Sequence, residues 1–183
     1  MKGKSARIIF DIVLFVVLIF LDRITKAWAV RVLAGNDGIP IIRNVLELYY
    51  LPNGNTGAAF GMLSGHRILF LVIAAVVVGV IFYLVWNMPT FKRYKMIEIL
   101  LVFIAAGGIG NMIDRFMQGY VVDFIYISCI NFPIFNVADM YVSICTVLMA
   151  IIVLFKLKEE DHLILEDSFL TPFKKKTDKT DDK

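Results

Sequence analysis

Asp123 and Asp139 are the residues whose type and setting most suggest chemistry. Each follows a short apolar or small stretch, Tyr120-Val121-Val122 and Val137-Ala138, with no basic residue within four positions in sequence. Two carboxylates held close in low dielectric cannot both ionise easily, so one keeps a proton and the pair can act as acid and base around a water. That is the chemistry of aspartic proteolysis. A structural reading stays open beside it. Asn136-Val-Ala-Asp139 fits a helix N-cap with an acid in the first turn, and Asp123 fits a turn after Gly119.

These two stand out because carboxylates are scarce. Only eight acidic residues precede position 156: Asp11, Asp22, Asp37, Glu47, Glu98, Asp114, Asp123 and Asp139. Asp11 and Glu98 fall near one end of apolar segments, and solvation accounts for Asp37 and Glu47 in a loop. Asp22, Thr25, Lys26 and Ala29 share one helical stripe, as do Gly107, Gly110, Asn111 and Asp114, and Asp139, Ser143 and Thr146 form a third. Three helices are thus expected to turn polar stripes inward. Ion pairs such as Asp22 with Lys26 or Asp114 with Arg115 would hold the bundle.

Other chemistries have little support. His66 and His162 are far apart, there is no H-E-x-x-H, and Cys129 and Cys145 lack metal-ligand spacing, so no metal or cofactor is expected and the cysteines are read as free thiols. Ser64 beside His66 reads as a helix cap rather than a nucleophile.

The elements that must position these residues are set by composition. The 183 residues are 59% hydrophobic and 19% charged, with mean hydropathy +0.76, well outside the range of soluble domains. The expected fold is an integral membrane, mainly α protein with no nucleic-acid partner. Four transmembrane helices are expected, at about Ile8 to Val30, Ile68 to Met88, Met96 to Met117 and Val137 to Phe155. The loop of about 36–65, with its Pro, Gly and β-branched residues, is expected to form a small outward-facing β platform between helices 1 and 2. Residues 156–183 mix both charges and are expected to be a disordered or partly helical cytoplasmic tail, leaving 1–155 as the folded domain.

Lys2, Lys4 and Arg7, then Lys92, Arg93 and Lys95, then Lys156 and Lys158 fall on one side of these spans. Both termini are therefore expected to be cytoplasmic. Asp22, Asp114, Asp123 and Asp139 then approach the opposite face. The basic start and Ala27-Trp28-Ala29 mimic a cleavable signal peptide, but Asp22, Arg23 and Lys26 fit a cleavage region poorly. A proton-coupled transporter also buries carboxylates in a bundle, yet its site is expected near the midplane rather than at one face.

Five blocks carry a family resemblance: Asp22-Arg-Ile-Thr-Lys26; Asn55-Thr-Gly57-Ala58-Ala59-Phe60-Gly61; Gly107-Gly-Ile-Gly110-Asn111-Met-Ile-Asp114-Arg115; Val121-Val122-Asp123-Phe124; and Phe135-Asn136-Val-Ala138-Asp139. In that order the chain resembles bacterial lipoprotein signal peptidases (signal peptidase II), membrane aspartic proteases of the bacterial cytoplasmic membrane. The resemblance implies cleavage of diacylglyceryl-modified prolipoproteins by a catalytic pair, Asp123 and Asp139, without a cofactor. It implies that Asn55, Gly57, Gly110, Asn111, Arg115, Asn136 and Ala138 line or shape the site, that Asp22, Lys26 and Asp114 support it, and that membrane lipids surround it. Met140, Tyr141 and Cys145 depart from the small residues common in the family at those places.

Overall fold

The computed structural model describes residues 2–52, 54–56 and 67–177. Five helices and three short strands make up these residues: α1 (Lys2–Leu33), β1 (Ile39–Ile42), β2 (Leu46–Leu48), α2 (Arg67–Asn87), α3 (Lys95–Gln118), β3 (Ile125–Tyr126), α4 (Val137–Phe155) and α5 (Glu159–Thr177). Among the described residues, three segments are long and apolar enough to cross a membrane: Arg67–Asn87, Lys92–Gln118 and Val137–Phe155. The 32-residue α1 is longer, but Asp11, Asp22, Arg23 and Lys26 interrupt its apolar run.

Helix α3 is the hub, packing against α1, α2 and α4. Its small residues explain why. A Cβ on Gly107 would lie 2.5 Å from the Ala138 carbonyl oxygen, so α3 and α4 meet there at backbone distance. One turn on, a Cβ on Gly110 would lie 2.5 Å from Asp22 Oδ2, so its missing side chain is the space that a carboxylate of α1 fills. Gly119 then stops α3 in the left-handed region (φ 89°), with its N–H donating to the Arg115 carbonyl, a conformation glycine adopts without penalty.

The strands form one antiparallel sheet in the order β1-β2-β3. Asn44 turns β1 into β2 through a left-handed conformation (φ 60°). The third strand is not in the loop of about 36–65 where the sequence puts the platform. It comes from the segment between α3 and α4, because two strands alone are marginal and β2 has an open edge to pair.

The tail, expected to be disordered or partly helical, forms helix α5 over residues 159–177. Leu157, Ile164, Leu165 and Phe169 pack against Met88, Tyr94 and Ile97 at the ends of α2 and α3. Asp161 accepts from Tyr94 Oη at 2.8 Å and pairs with Arg93 at 2.9 Å. The apolar residues recur at helical spacing within a segment whose charges mask them in the average composition.

Candidate active site

Val122 and Phe124 are buried and cluster with Ala29 and Leu33 of α1. In extended chain, neighbours point to opposite sides, so anchoring residues 122 and 124 in that core turns Val121 and Asp123 the other way, onto a cavity of about 340 Å³. Backbone pairing fixes the segment: Leu51 N–H donates to the Asp123 carbonyl at 3.1 Å, and Asn55 and Val121 exchange bonds at 2.9 Å. Asp139 reaches the same cavity from the first turn of α4. Asn55, Asn111, Arg115 and the chain from Phe132 to Phe135 complete most of its wall.

Each carboxylate oxygen of the two aspartates accepts from an amide N–H. Asp123 Oδ2 takes Asn55 Nδ2 at 2.9 Å and Oδ1 takes Asn136 Nδ2 at 2.7 Å. Asp139 Oδ1 takes Asn111 Nδ2 at 2.7 Å, and Oδ2 takes the backbone N–H of Asn136 at 3.1 Å. Asn136 Oδ1 in turn accepts the Asp139 N–H at 3.0 Å, closing a capping box at the start of α4. The N-cap reading of Asp139 and the paired-carboxylate reading therefore describe one arrangement. Asn136, fully buried, connects the two acids.

Asp123 is 1% exposed. Burial first, and then the charge of Asp139, push its carboxyl up to about 6, against the opposing pull of the Asn55 and Asn136 donors and of Lys26. A carboxyl in that range can hold or release a proton near neutral pH.

Behind the cavity lies a buried ionic network. Lys26 Nζ, 1% exposed, stands 3.0 Å from Asp22 Oδ2 and 2.9 Å from Asp114 Oδ2, and donates to Asn111 Oδ1 at 2.9 Å. Arg23 makes the other ion pair to Asp114, a partner the sequence reading missed: one turn separates it from Lys26, and only the α1–α3 crossing brings it to position 114. Asp114 Oδ2 also accepts the Val122 N–H at 3.3 Å. The support residues thus reach both aspartates, through Asn111 to Asp139 and through Val122 to the Asp123 segment. Arg115 lies with its guanidinium 4.8 Å from the Phe70 ring centroid and faces the charges of Asp139, Asp123 and Asp114.

Ala138 is fully buried against α3. The third stripe is corrected in part: Ser143 lines the cavity with Asp139, as the spacing suggests, whereas Thr146 is exposed and lies outside the cavity lining. Ala138 and Cys145 are the buried positions of α4. Cys129 and Cys145 are free thiols. Gly57, Ser64 and His66 lie outside the described residues. Among the described residues no cluster of His, Cys, Asp and Glu is arranged to hold a metal ion.

Apolar helices thus surround two amide-cradled carboxylates that share one cavity, an arrangement able to do acid and base work on a bound water. Comparison with known proteins narrows this to a family. The family model for signal peptidase (SPase) II matches residues 14–155. A lipoprotein signal peptidase of Clostridium novyi (strain NT) is 40% identical over 148 residues, covering 79% of this chain and 97% of the relative. One from Streptococcus pyogenes serotype M5 (strain Manfredo) is 37% identical over 147 residues, covering 80% and 92%. Two solved structures described as bacterial membrane enzymes superpose with TM-scores of 0.69 and 0.70 at 30% and 29% identity, covering 80% and 81% of this chain and 88% and 94% of theirs. The chain belongs to the signal peptidase II family, the aspartic endopeptidases that process prolipoproteins.

Proposed function

We propose that Asp123 and Asp139 form the catalytic dyad of this peptidase and cut diacylglyceryl-modified prolipoproteins on the amino side of the lipidated cysteine. The observation that carries this reading is that both carboxylates line one cavity, cradled by amides, with Asp123 raised to about 6. The singly protonated pair has the required parts. The ionised carboxylate takes a proton from water, whose oxygen attacks the scissile carbonyl carbon, while the protonated carboxyl hydrogen-bonds the carbonyl oxygen. Collapse of the tetrahedral intermediate breaks the C–N bond as the amide nitrogen is protonated. The products are a new carboxyl terminus on the signal peptide and a free amine on the cysteine. The pair titrates as a unit, so the two roles belong to the dyad and not to one residue.

In this reading α1 to α4 are four spans with both termini in the cytoplasm of a bacterial inner membrane. The cavity then opens at the outer face, with the sheet beside it. The clustering of Lys and Arg at the opposite helix ends supports that orientation. Asn55, Asn111 and Asn136 hold the dyad, Gly57 and Arg115 shape the substrate path, Gly110 and Ala138 allow the close helix approach, and Asp22, Lys26 and Asp114 keep Asn111 in place. Membrane lipids bound the lateral entry of the substrate.

The test is cleavage of a purified diacylglyceryl-prolipoprotein in detergent by the wild type, Asp123→Asn and Asp139→Asn, with helicity checked by circular dichroism. Folded variants that cleave at the wild-type rate would refute the dyad.

A further inference from the structure

The ends of α1 and α3 away from the aspartates, with the connection between α2 and α3, enclose a second, larger hollow of about 890 Å³. Glu98 on its wall and Asn111 of the active site are separated by about 20 Å along α3, at 1.5 Å per residue. The hollow is lined by Lys4, Arg7, Lys92 and Lys95 against one acid, Glu98. Arg7 is committed: it pairs with Glu98 at 3.0 Å and donates to the Met88 carbonyl at 2.9 Å. The three lysines are exposed and make no ion pair or side-chain hydrogen bond among the described residues. Lys4 and Lys95 rest instead on aromatic rings, 5.7 Å from Trp86 and 5.4 Å from Phe10.

Orientation in the membrane needs lysines in this region, but not a concave arrangement of them around a space. The rim also differs from a plain anion site. Phe10 and Phe91 on the same wall are 48% and 57% exposed. One turn further along α1, an apolar crevice of about 180 Å³ opens between Ile8, Ile12, Phe15, Phe82 and Trp86, with Asp11 its one charged lining residue. Cations at the helix ends, aromatic side chains beside them and an apolar slot along the helices match, in that order, the phosphate, glycerol and acyl chain of a phospholipid.

We propose that this hollow binds the headgroup phosphate of an anionic glycerophospholipid, with Lys4, Lys92 and Lys95 as the binding cations. Basic pockets between transmembrane helices recognise anionic headgroups through the same chemistry. A free phosphate would use the lysines but leave Phe10, Phe91 and the crevice without a role.

The full-length protein in mixed micelles, titrated with phosphatidylglycerol or phosphatidylcholine and read by native mass spectrometry, tests this. Phosphatidylglycerol is expected to bind in preference to phosphatidylcholine. Lys92→Gln with Lys95→Gln should weaken it on the order of thirtyfold, at roughly fivefold per cation, and Lys4→Gln alone about fivefold, giving a second reading should the double variant misfold. Lys156→Gln with Lys158→Gln removes equal charge from outside the lining of the hollow and should change binding less than about twofold, the response of a solvent-screened surface charge. The proposal is overturned if the hollow variants bind phosphatidylglycerol as the wild type does. It is equally overturned if the Lys156 and Lys158 changes weaken it as much, which means diffuse surface attraction, or if millimolar inorganic phosphate displaces it, which means a simple anion site.

Discussion

Two pairs of acids sit at opposite ends of this bundle, and they are held by different means. Asp123 and Asp139 line one cavity, and every oxygen of theirs accepts from an amide N–H. Asp11 and Glu98, 7% and 3% exposed, touch each other but line separate hollows, Asp11 the apolar crevice and Glu98 the basic one. Glu98 pairs with the Arg7 guanidinium, and Asp11 Oδ2 has no hydrogen-bond partner among the described residues. An ion pair penalises loss of charge at the acid more strongly than a neutral amide donor does. Burial of two carboxylates is thus not enough for acid and base work. They must share a space, and their partners must leave the proton free to move.

The largest test of this difference is catalytic. Asp123→Asn or Asp139→Asn is expected to lower the cleavage rate about a thousandfold or more, while Asp11→Asn and Glu98→Gln leave it within about threefold, as expected of groups that never meet the reacting atoms. A folded Glu98→Gln enzyme without activity would break the comparison.

Next in size are the cations. Lys26→Met leaves Asp22 without its paired ammonium and Asp114 with Arg23 alone, a loss on the order of 3–5 kcal/mol. Arg7→Met, at a site whose side chain is 14% exposed, is expected to cost less, about 1–3 kcal/mol. Unfolding in mixed detergent and sodium dodecyl sulfate measures both.

Packing sharpens it further. Gly110→Ala drives a Cβ to 2.5 Å from Asp22 Oδ2 and is expected to cost about 1–3 kcal/mol. Gly79→Ala, with no heavy atom within 4 Å of the new carbon, should be neutral within about 0.5 kcal/mol by the same unfolding assay.

The smallest effect is a shift in pH dependence. With Asp123 raised to about 6, the singly protonated dyad is lost as pH rises through that value, so kcat/KM should fall on the alkaline side. Asn55 favours the charged form of Asp123. Asn55→Ala therefore raises its pKa and should move the alkaline limb up by about one pH unit, for a hydrogen bond of ordinary strength.

Much of this was legible in the residues. Scarcity of acids in an apolar chain singled out Asp22, Asp114, Asp123 and Asp139, and helical spacing put Lys26 beside Asp22, where the structure has it. Periodicity could not report which helices cross where. Arg23 reaches Asp114, and Asp11 meets Glu98, only through the packing of α1 on α3. The stripe from Asp139 held as far as Ser143, which lines the cavity, and misled at Thr146 because a polar side chain at helical spacing can face outward as readily as inward. Strand β3 escaped notice because two residues give no alternation to read, and α5 because average charge hid its three packed apolar positions, Ile164, Leu165 and Phe169.

The amide of Asn111 carries one last consequence. Its oxygen receives Lys26 and Asn136 Nδ2, so its nitrogen alone is left for Asp139. The side chain is polarised like a valve, with cation and donor upstream and carboxylate downstream, and a half-turn of its terminal group would set oxygen against oxygen and nitrogen against ammonium. Asn111→Asp changes the volume hardly at all yet replaces the N–H that reaches Asp139 with a repelling oxygen. In this enzyme the least visible exchange in shape is among the most disruptive in direction.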